Sequence, residues 1–214
     1  MKKDLTELVF ILDRSGSMSG LEEDTIGGFN ALLKKQQATP GKAILSTVLF
    51  NHHSEVLHDR LDVKKVESIS EMDYSVGGST ALLDAVGRSI NYIRKIHNCM
   101  DNEEVPEKTI FIITTDGMEN ASEYYDYKQV KLMIESQTER KGWEFIFLGA
   151  NIDSMDVARR FGIHEDHSAN FHSDKEGTKL NYDVLSDAID EVRKNKSIKA
   201  DWKNRIDEDY KNRK

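Results

Sequence analysis

The sequence predicts one α/β domain: a doubly wound, mostly parallel sheet with one antiparallel edge strand and helices on both faces, a Rossmann-like arrangement. Short apolar runs alternate along the chain with longer amphipathic segments. Two of the runs, at residues 8–12 and 110–113, are continuous, as in strands that are covered on both faces. The chain has 214 residues, two prolines and no internal repeat, which suits a single core without a linker.

The individual elements follow from periodicity and from the residues at their ends. Helices are predicted where apolar residues recur every three or four positions, and strands where short apolar runs lie between polar turns. Ser19 followed by Glu22 would form a capping box at the start of the first helix, and the polar turn 51–54 would join two strands as a hairpin. In chain order the predicted elements are strand 8–12, helix 20–37, strands 43–50 and 55–61, helix 81–96, strand 108–115, helix 127–141, strand 143–149, helix 154–161, a weaker strand 168–172 and helix 179–194.

A separate C-terminal extension is predicted beyond this domain. We assign residues 1–194 to the α/β domain and residues 195–214 to a basic helical extension, in which Ile198, Trp202, Ile206 and Tyr210 recur every four residues. This narrow apolar stripe favours a helix that lies on its own domain over one that binds a partner, and both interpretations stay open at this point.

Charge and composition exclude several classes of function. The net charge is −8, although residues 193–214 carry nine Lys or Arg against four Asp or Glu, so the body of the chain is strongly acidic. An acidic body repels a phosphate backbone, which argues against nucleic-acid binding. No apolar stretch is long enough for a membrane span or a secretory signal, and Cys99 is the only cysteine. We therefore expect a cytoplasmic protein, a monomer, with no membrane or nucleic-acid partner.

A constellation of oxygen-bearing side chains follows the ends of predicted strands. Asp13, Ser15 and Ser17 come directly after the first strand, Asp116 comes directly after strand 108–115, and Thr80 follows a glycine-rich segment before the second helix. In open parallel sheets, ligands bind beyond the carboxyl ends of the strands, where these residues would meet. Two carboxylates and three hydroxyls, with no His or Cys, suit a hard divalent cation; Mg²⁺ is the expected ion, with Mn²⁺ or Ca²⁺ as alternatives, and zinc is a poor match.

These motifs resemble the von Willebrand factor A-type domain with its metal-ion-dependent adhesion site, and in detail its small stand-alone bacterial members. Asp13-x-Ser15-x-Ser17 matches the first motif of that site, Thr80 the second and Asp116-Gly117 the third, over a resemblance that spans roughly residues 5–194. The resemblance implies that Ser15, Ser17 and Thr80 ligate the ion directly and that the two aspartates act largely through water.

The resemblance also implies a function. A partner protein would offer an Asp or Glu side chain to the open coordination position, so that the domain is a metal-dependent protein-interaction module and not an enzyme. Stand-alone bacterial relatives often work beside ATP-driven chaperone-like complexes or in stress-response gene clusters, which makes such an assembly the expected context.

Other interpretations compete with this one. Ser15, Ser17 and Asp116 could merely cap helices. The same ion could assist hydrolysis of a phosphate or ester, or the domain could be a regulatory subunit that acts through its C-terminal helix. Residues beside the motifs, among them Arg14 and Met18, could select the partner or be ordinary loop residues. No phosphate-binding loop occurs, and His164 with His167 has the wrong spacing for a zinc protease motif.

Overall fold

A computed structural model describes residues 1–150, 152–194 and 197–213, and it contains one six-stranded sheet. The strands lie in the order β3-β2-β1-β4-β5-β6, with β1 and β4 at the centre. The strands are β1 Lys2–Asp13, β2 Lys42–Phe50, β3 Ser54–Asp62, β4 Pro106–Thr115, β5 Glu144–Ala150 and β6 Ser168–Phe171. The α-helices are α1 Glu22–Ala38, α2 Leu82–Cys99, α3 Tyr127–Lys141, α4 Ser154–Phe161, α5 Lys175–Arg193 and α6 Asn204–Asn212.

The sheet is parallel except at one edge. β1 pairs in parallel with β2 and β4, β4 with β5, and β5 with β6, whereas β3 pairs antiparallel to β2. The predicted fold class, with its single antiparallel edge strand, is therefore confirmed. Among the described residues, no helix combines the length and the apolar character that crossing a membrane requires.

Two hydrophobic cores lie on opposite faces of the sheet, because successive side chains of a strand point to opposite faces. The helices α1, α5 and α6 cover one face, and α2, α3 and α4 cover the other. The central strand shows the alternation: Leu8, Phe10 and Leu12 enter the first core, and Val9 and Ile11 enter the second.

Strand register brings the two halves of the predicted site together. Leu12 lies beside Thr114, so that Asp13 at the end of β1 and the Thr115-Asp116 segment at the end of β4 reach the same edge of the sheet. This edge is formed by the carboxyl ends of the parallel strands, where the fold class places ligands.

Two predicted helix starts are wrong. Helix α1 begins at Glu22 and not at residue 20, and no side chain caps it; the predicted Ser19 capping box is absent, because the Glu22 carboxylate instead accepts a hydrogen bond from the Gly20 N–H at 2.6 Å. Helix α5 begins at Lys175, four residues earlier than predicted, since the Asp174 side chain caps it by accepting from the Gly177 N–H at 2.8 Å.

The C-terminal segment lies on the α/β domain. Its helix α6 follows a 3₁₀ turn at Ala200–Lys203, and Ile206 is buried in the first core. The Trp202 indole N–H donates to the Asp166 carbonyl at 2.7 Å, and the buried Lys203 ammonium donates to the Ser168 carbonyl at 2.7 Å. The predicted boundary between residues 194 and 195 adjoins residues 195–196, which lie outside the described part of the chain, so that division stays a prediction.

Candidate metal centre

The loop after β1 folds back over the end of its own strand. Asp13 is buried, and one of its carboxylate oxygens, Oδ1, accepts a hydrogen bond from the Ser15 N–H at 2.7 Å. A 3₁₀ turn over Gly16–Met18 follows, and it brings the hydroxyls of Ser15 and Ser17 within 3.0 Å of each other. The i, i+2, i+4 spacing of the motif therefore puts one carboxylate and two hydroxyls on the same side of the loop.

The loop that carries Thr80 is held by backbone hydrogen bonds on both sides. Gly78 has φ 81°, a conformation that favours glycine, and its carbonyl accepts from the Gly16 N–H at 2.9 Å. The Thr80 N–H donates to the Asn120 side chain at 2.9 Å, and the Thr80 carbonyl accepts from the Asn120 N–H at 3.0 Å. The buried Thr80 is thus fixed between the loop after β1 and the loop after β4.

Three hydroxyls from two separate loops converge beside Gly117. A methyl group added to this glycine would lie 2.9 Å from Ser17 Oγ, 3.0 Å from Thr80 Oγ1 and 3.6 Å from Ser15 Oγ. Contacts below 3.0 Å are not tolerated by a real side chain, so a residue larger than glycine would occupy the space at which the hydroxyls point. The structure therefore gathers Ser15, Ser17 and Thr80 around Asp116-Gly117.

The two carboxylates of the site are compensated only by neutral groups. Asp13 accepts from the Thr115 hydroxyl and from Ser15, and the Asp13 carbonyl accepts from the Tyr74 hydroxyl. Burial is the main cause that raises the pKa of Asp13 from 3.8 to about 6, with repulsion from Asp116 adding to it and the hydrogen bonds from Thr115 and Ser15 opposing it. Within the described residues, neither carboxylate forms an ion pair.

Asp116 has one oxygen that no described residue satisfies. Its Oδ2 accepts a hydrogen bond from the Ser173 hydroxyl at 3.2 Å. Its Oδ1 is buried without a hydrogen-bond partner among the residues that the structure describes. Buried polar atoms are nearly always satisfied, and a bound ion or water is a frequent explanation for an exception.

Helix capping does not account for the motif residues. The Ser15 side chain makes no capping hydrogen bond, although it stands directly before the 3₁₀ turn. Helix α3, the next helix after Asp116, is capped by Asp126 in a capping box with Gln129. Ser15 and Asp116 are thus placed for something other than the helix ends to which the sequence could have assigned them.

The donor set fits a hard divalent cation. In the described part of the chain, no three His, Cys, Asp or Glu side chains cluster in a way that could hold a metal ion, so a carboxylate-rich or zinc-type cage is absent there. Hydroxyl groups count as ligands for Mg²⁺ and Mn²⁺, which accept neutral oxygen donors and retain water. Two buried carboxylates, which have no cationic partner in the described part of the chain, supply the charge that such an ion would balance.

The residues beside the motifs are mostly engaged within the protein. Arg14 pairs with Glu55 at 2.8 Å, and Met18 is buried, so Met18 does not lie on the rim of the site. Both oxygens of Glu119 accept hydrogen bonds: Oε2 from the Leu83 N–H at 2.8 Å, and Oε1 from the Ser122 N–H at 2.8 Å. Glu119 and Asn120 therefore lock the loop after β4 to the start of α2.

The structure adds three residues that the sequence motif does not contain. Thr115 and Tyr74 donate to Asp13, and Ser173 donates to Asp116. Ser173 follows β6, another parallel strand of the same sheet, so the rule that ligands lie beyond the carboxyl ends of such strands could have pointed to it.

Sequence comparison matches no protein-family model and no curated protein. Comparison with solved structures does find relatives of the fold. The von Willebrand factor domain of the type V pili tip protein Mfa5 from Porphyromonas gingivalis is 10% identical, with a TM-score of 0.60 over 86% of this chain and 94% of that one. The von Willebrand factor type A protein from Catenulispora acidiphila is 14% identical, with a TM-score of 0.57 over 86% of this chain and 42% of that one.

A third similar structure is the manganese-loaded TRAP protein of Plasmodium vivax, which is 15% identical, with a TM-score of 0.56 over 84% of this chain and 73% of that one. The chain spans less than half the length of three of the proteins that it matches, the Catenulispora acidiphila protein among them. At these identities the comparisons establish the fold, and this chain has the fold of von Willebrand factor A domains.

Proposed function

We propose that this protein is a metal-dependent interaction module, in which an acidic side chain of a partner protein binds through a divalent cation held by Asp13, Ser15, Ser17, Thr80 and Asp116. The observation that carries the proposal is the convergence of three hydroxyls beside Gly117, next to two buried carboxylates that form no ion pair with any residue the structure describes. Such a bound cation supplies a Lewis-acidic position that accepts a carboxylate oxygen of the partner.

The chain's own residues divide the work. Ser15, Ser17 and Thr80 would ligate the ion directly, whereas Asp13 and Asp116 would supply charge and orient water. Ser17 is exposed, whereas the other four residues are buried, so a partner would approach from the side of Ser17. Mg²⁺ is the proposed ion; the manganese in the Plasmodium vivax protein supports a divalent ion in this fold without choosing between the two metals.

We further propose that the domain binds and does not catalyse. Metal-assisted hydrolysis needs a general base near the ion, and Glu119 is the nearest acid in sequence to Asp116 apart from the proposed ligands. Both of its oxygens are occupied by hydrogen bonds within the loop 119–122 and to Leu83. Glu119 is therefore not free to act as that base, which favours partner binding over hydrolysis.

The biological setting belongs to the same proposal. We propose a cytoplasmic monomer that recruits an acidic surface in a stress-response or ATPase-chaperone assembly, as the resemblance of the motifs to small bacterial members of the family implies. A bound cation would offset the charges of the buried Asp13 and Asp116, which would otherwise repel an Asp or Glu of the partner.

Mn²⁺ titration, followed by electron paramagnetic resonance of the free ion, tests the metal site directly. We expect one Mn²⁺ per chain in the wild type and a loss of affinity of about tenfold or more in the Ser17→Ala variant. The Ser19→Ala variant is the matched control, since Ser19 is also an exposed serine of this loop but lies outside the convergent set. Equal Mn²⁺ binding by the two variants would rule out the proposed ligand set.

The open coordination position is tested by water-proton relaxation. Mn²⁺-loaded wild type should enhance the relaxation of solvent water, and added glutarate, as a probe for an acidic side chain, should reduce that enhancement as it displaces metal-bound water. Glutaramide, which has the same length and no charge, should have no effect. If glutarate leaves the relaxation enhancement of the Mn²⁺ complex unchanged, the ion is structural and a role in partner binding is refuted.

A further inference from the structure

The segment His172-Ser173-Asp174 lies between the candidate metal centre and the C-terminal helix. It connects β6 to α5, and α5 begins directly after it. Each of its three residues makes a contact that leaves the segment, one towards Asp116 and two towards α6.

On the side of the metal centre, Ser173 holds one oxygen of Asp116. The Ser173 hydroxyl donates to Asp116 Oδ2 at 3.2 Å, and no other described group donates to this carboxylate. A carboxylate with a single hydrogen bond is oriented by that bond, which here leaves Oδ1 as the oxygen available to the site. The side-chain orientation of Asp116 therefore depends on where Ser173 lies.

On the other side, the C-terminal end of α6 holds the same segment at two points, through Tyr210 in the helix and Arg213 directly after it. The Arg213 guanidinium donates to Asp174 Oδ2 at 2.8 Å and to Oδ1 at 3.2 Å, and it also pairs with Asp209 at 2.7 Å. The His172 ring stacks on the Tyr210 ring with centroids 4.8 Å apart, and its Nε2–H donates to the Tyr210 carbonyl at 3.3 Å. Arg213 and Tyr210 together clamp both neighbours of Ser173.

The start of α5 packs closely against both the segment 172–174 and Arg213. A methyl group added to Gly177, in the first turn of α5, would lie 2.2 Å from the His172 carbonyl oxygen and 3.2 Å from the Arg213 guanidinium. The other end of the segment 200–212 is anchored separately, by Trp202, by the buried Lys203 and by Ile206 in the core. The helix that carries Arg213 is thus fixed to the domain independently of the contacts that it makes with the segment 172–174.

We infer that Ser173 is a positioning residue of the metal centre and that the C-terminal helix α6 sets its position, through Arg213 and Tyr210. With α6 docked, the segment 172–174 is held, Ser173 reaches Asp116 Oδ2, and Oδ1 stays directed to the site. The consequence for metal affinity rests on the proposed function; the contact between the segment and Asp116 does not. This assigns the basic extension a role in the metal site, in addition to covering the sheet.

Metal binding gives the first test. The Ser173→Ala variant should bind Mn²⁺ about tenfold more weakly than the wild type, because Asp116 loses the one hydrogen-bond donor that it has among the described residues. The Ser173→Thr variant keeps the hydroxyl and should bind within about twofold of the wild type, which separates a lost hydrogen bond from a general loss of structure. Mn²⁺ affinity of Ser173→Ala equal to that of the wild type would overturn the inference.

The contribution of α6 is tested by replacing two arginines of the C-terminal extension, Arg213 and Arg205. Arg213 contacts the segment 172–174, whereas Arg205 pairs with Asp183 and Asp187 on the outer face of α5. The Arg213→Ala variant should lower Mn²⁺ affinity by roughly threefold, within the range for losing an exposed charge pair. The Arg205→Ala variant loses the same kind of pair and should leave Mn²⁺ affinity unchanged.

Hydrogen exchange of the metal-free protein tests the coupling without any metal. Arg213→Ala should speed amide exchange both at residues 172–177 and at residues 114–118 around Asp116, and Arg205→Ala should change neither. Faster exchange at 172–177 alone would overturn the coupling. A wild type that binds no Mn²⁺ would refute the proposed function, while this exchange comparison would still decide whether α6 positions the Asp116 loop.

Discussion

Strand β1 carries two fully buried carboxylates, Glu7 in its first half and Asp13 at its end, and the two are compensated in opposite ways. Glu7 lies between two potential cations: Arg60 donates to its Oε1 at 2.6 Å, and the His97 ring donates to its Oε2 at 2.5 Å. Asp13 is surrounded by a hydroxyl, a backbone N–H and a second carboxylate.

The charge of Glu7 is balanced by an ion pair within the protein. Arg60 adopts φ 49°, which is unusual for a residue with a side chain, at an irregularity in the pairing of β3 with β2. From there its guanidinium reaches across β2 to Glu7 on β1. This backbone conformation accompanies the buried ion pair, which neutralises the charge of Glu7 inside the protein.

The Asp13 arrangement leaves its charge uncompensated. Neutral donors satisfy both oxygens, yet burial and the neighbouring Asp116 still raise the pKa of Asp13 to about 6. The comparison teaches that burial alone does not identify a functional carboxylate in this fold. The informative feature is whether the protein itself supplies the opposite charge, as it does at Glu7 and does not at Asp13.

The largest expected effect follows from removing the charge of Glu7. Glu7→Gln leaves the guanidinium of Arg60 in the protein without a counter-ion and should reduce the free energy of unfolding by about 3 to 5 kcal/mol. Urea denaturation measures this. The matched control is Glu55→Gln, which makes the same chemical change at the more exposed pair with Arg14 and should alter stability by no more than about 1 kcal/mol. Equal effects of the two variants would remove the distinction between the sites.

The second prediction concerns Asp13 at the other end of β1, where removing the charge should raise the free energy of unfolding instead of lowering it. Asp13→Asn should stabilise the metal-free protein near neutral pH by about 2 kcal/mol, because the folded state no longer holds a buried, uncompensated charge. Thr115 can accommodate the amide, since its hydroxyl can accept from Asn while donating to the Gly117 carbonyl, which lies 3.1 Å away. Urea denaturation in the presence of EDTA measures the difference.

The pH dependence of this difference in stability between Asp13→Asn and the wild type tests whether it arises from the charge of Asp13. The pKa of Asp13 is higher in the folded state, about 6, than the value of 3.8 for a free carboxyl, so the folded protein binds the proton more tightly. The contribution of this tighter proton binding to the stability of the wild type is fully present below pH 3.8 and is lost as the pH rises to about 6. The advantage of Asp13→Asn should therefore appear across that window and reverse when Mn²⁺ is added. A metal-free variant less stable than the wild type near neutral pH would contradict the comparison.

Much of the Asp13 site could be predicted from sequence, because its side chains come in short motifs directly after apolar strands. Strand ends converge in a parallel sheet, so Asp13, Ser15, Ser17 and Asp116 could be placed at one edge without coordinates. Thr80 does not follow a strand, and its assignment came from its glycine-rich segment and from the resemblance of its motif. The fold itself followed from the alternation of apolar runs and amphipathic segments. Both inferences depend on local patterns that the tertiary structure preserves.

The Glu7 cluster could not be found in this way, and the strand-end rule gives only the region of Ser173 and not its contact with Asp116. Glu7 lies in the polar first half of β1, which does not have the apolar pattern of a buried strand, and its partners come from β3 and from α2. Ser173 follows a strand of only four residues, and α5 starts earlier than its apolar periodicity indicates. Met18 is buried although it stands between two exposed serines. Each of these depends on contacts between elements that are distant along the chain.

The smallest effect is expected at Thr115, the neutral donor that partly stabilises the Asp13 charge. Thr115→Val keeps the shape of the side chain and removes its hydrogen bond to Asp13, which should cost about 1 kcal/mol of stability. Since that bond lowers the pKa of Asp13, its loss should raise the pKa of Asp13 above its wild-type value of about 6, as measured by carbon NMR of the Asp13 carboxyl. Thr109→Val, at another buried threonine of β4, should leave the titration of Asp13 unchanged.

The direction in which Thr115→Val shifts the pKa of Asp13 also tests the contrast between Asp13 and Glu7. If neutral donors carry the stabilisation of Asp13, then removing one of them must move the carboxyl further towards its protonated form and make Mn²⁺ binding more dependent on pH. Glu7 should not respond to the loss of a neutral neighbour in this way, because its charge is balanced by Arg60. An unchanged titration of Asp13 in Thr115→Val would mean that an unrecognised cation already balances the site, and the contrast with Glu7 would disappear.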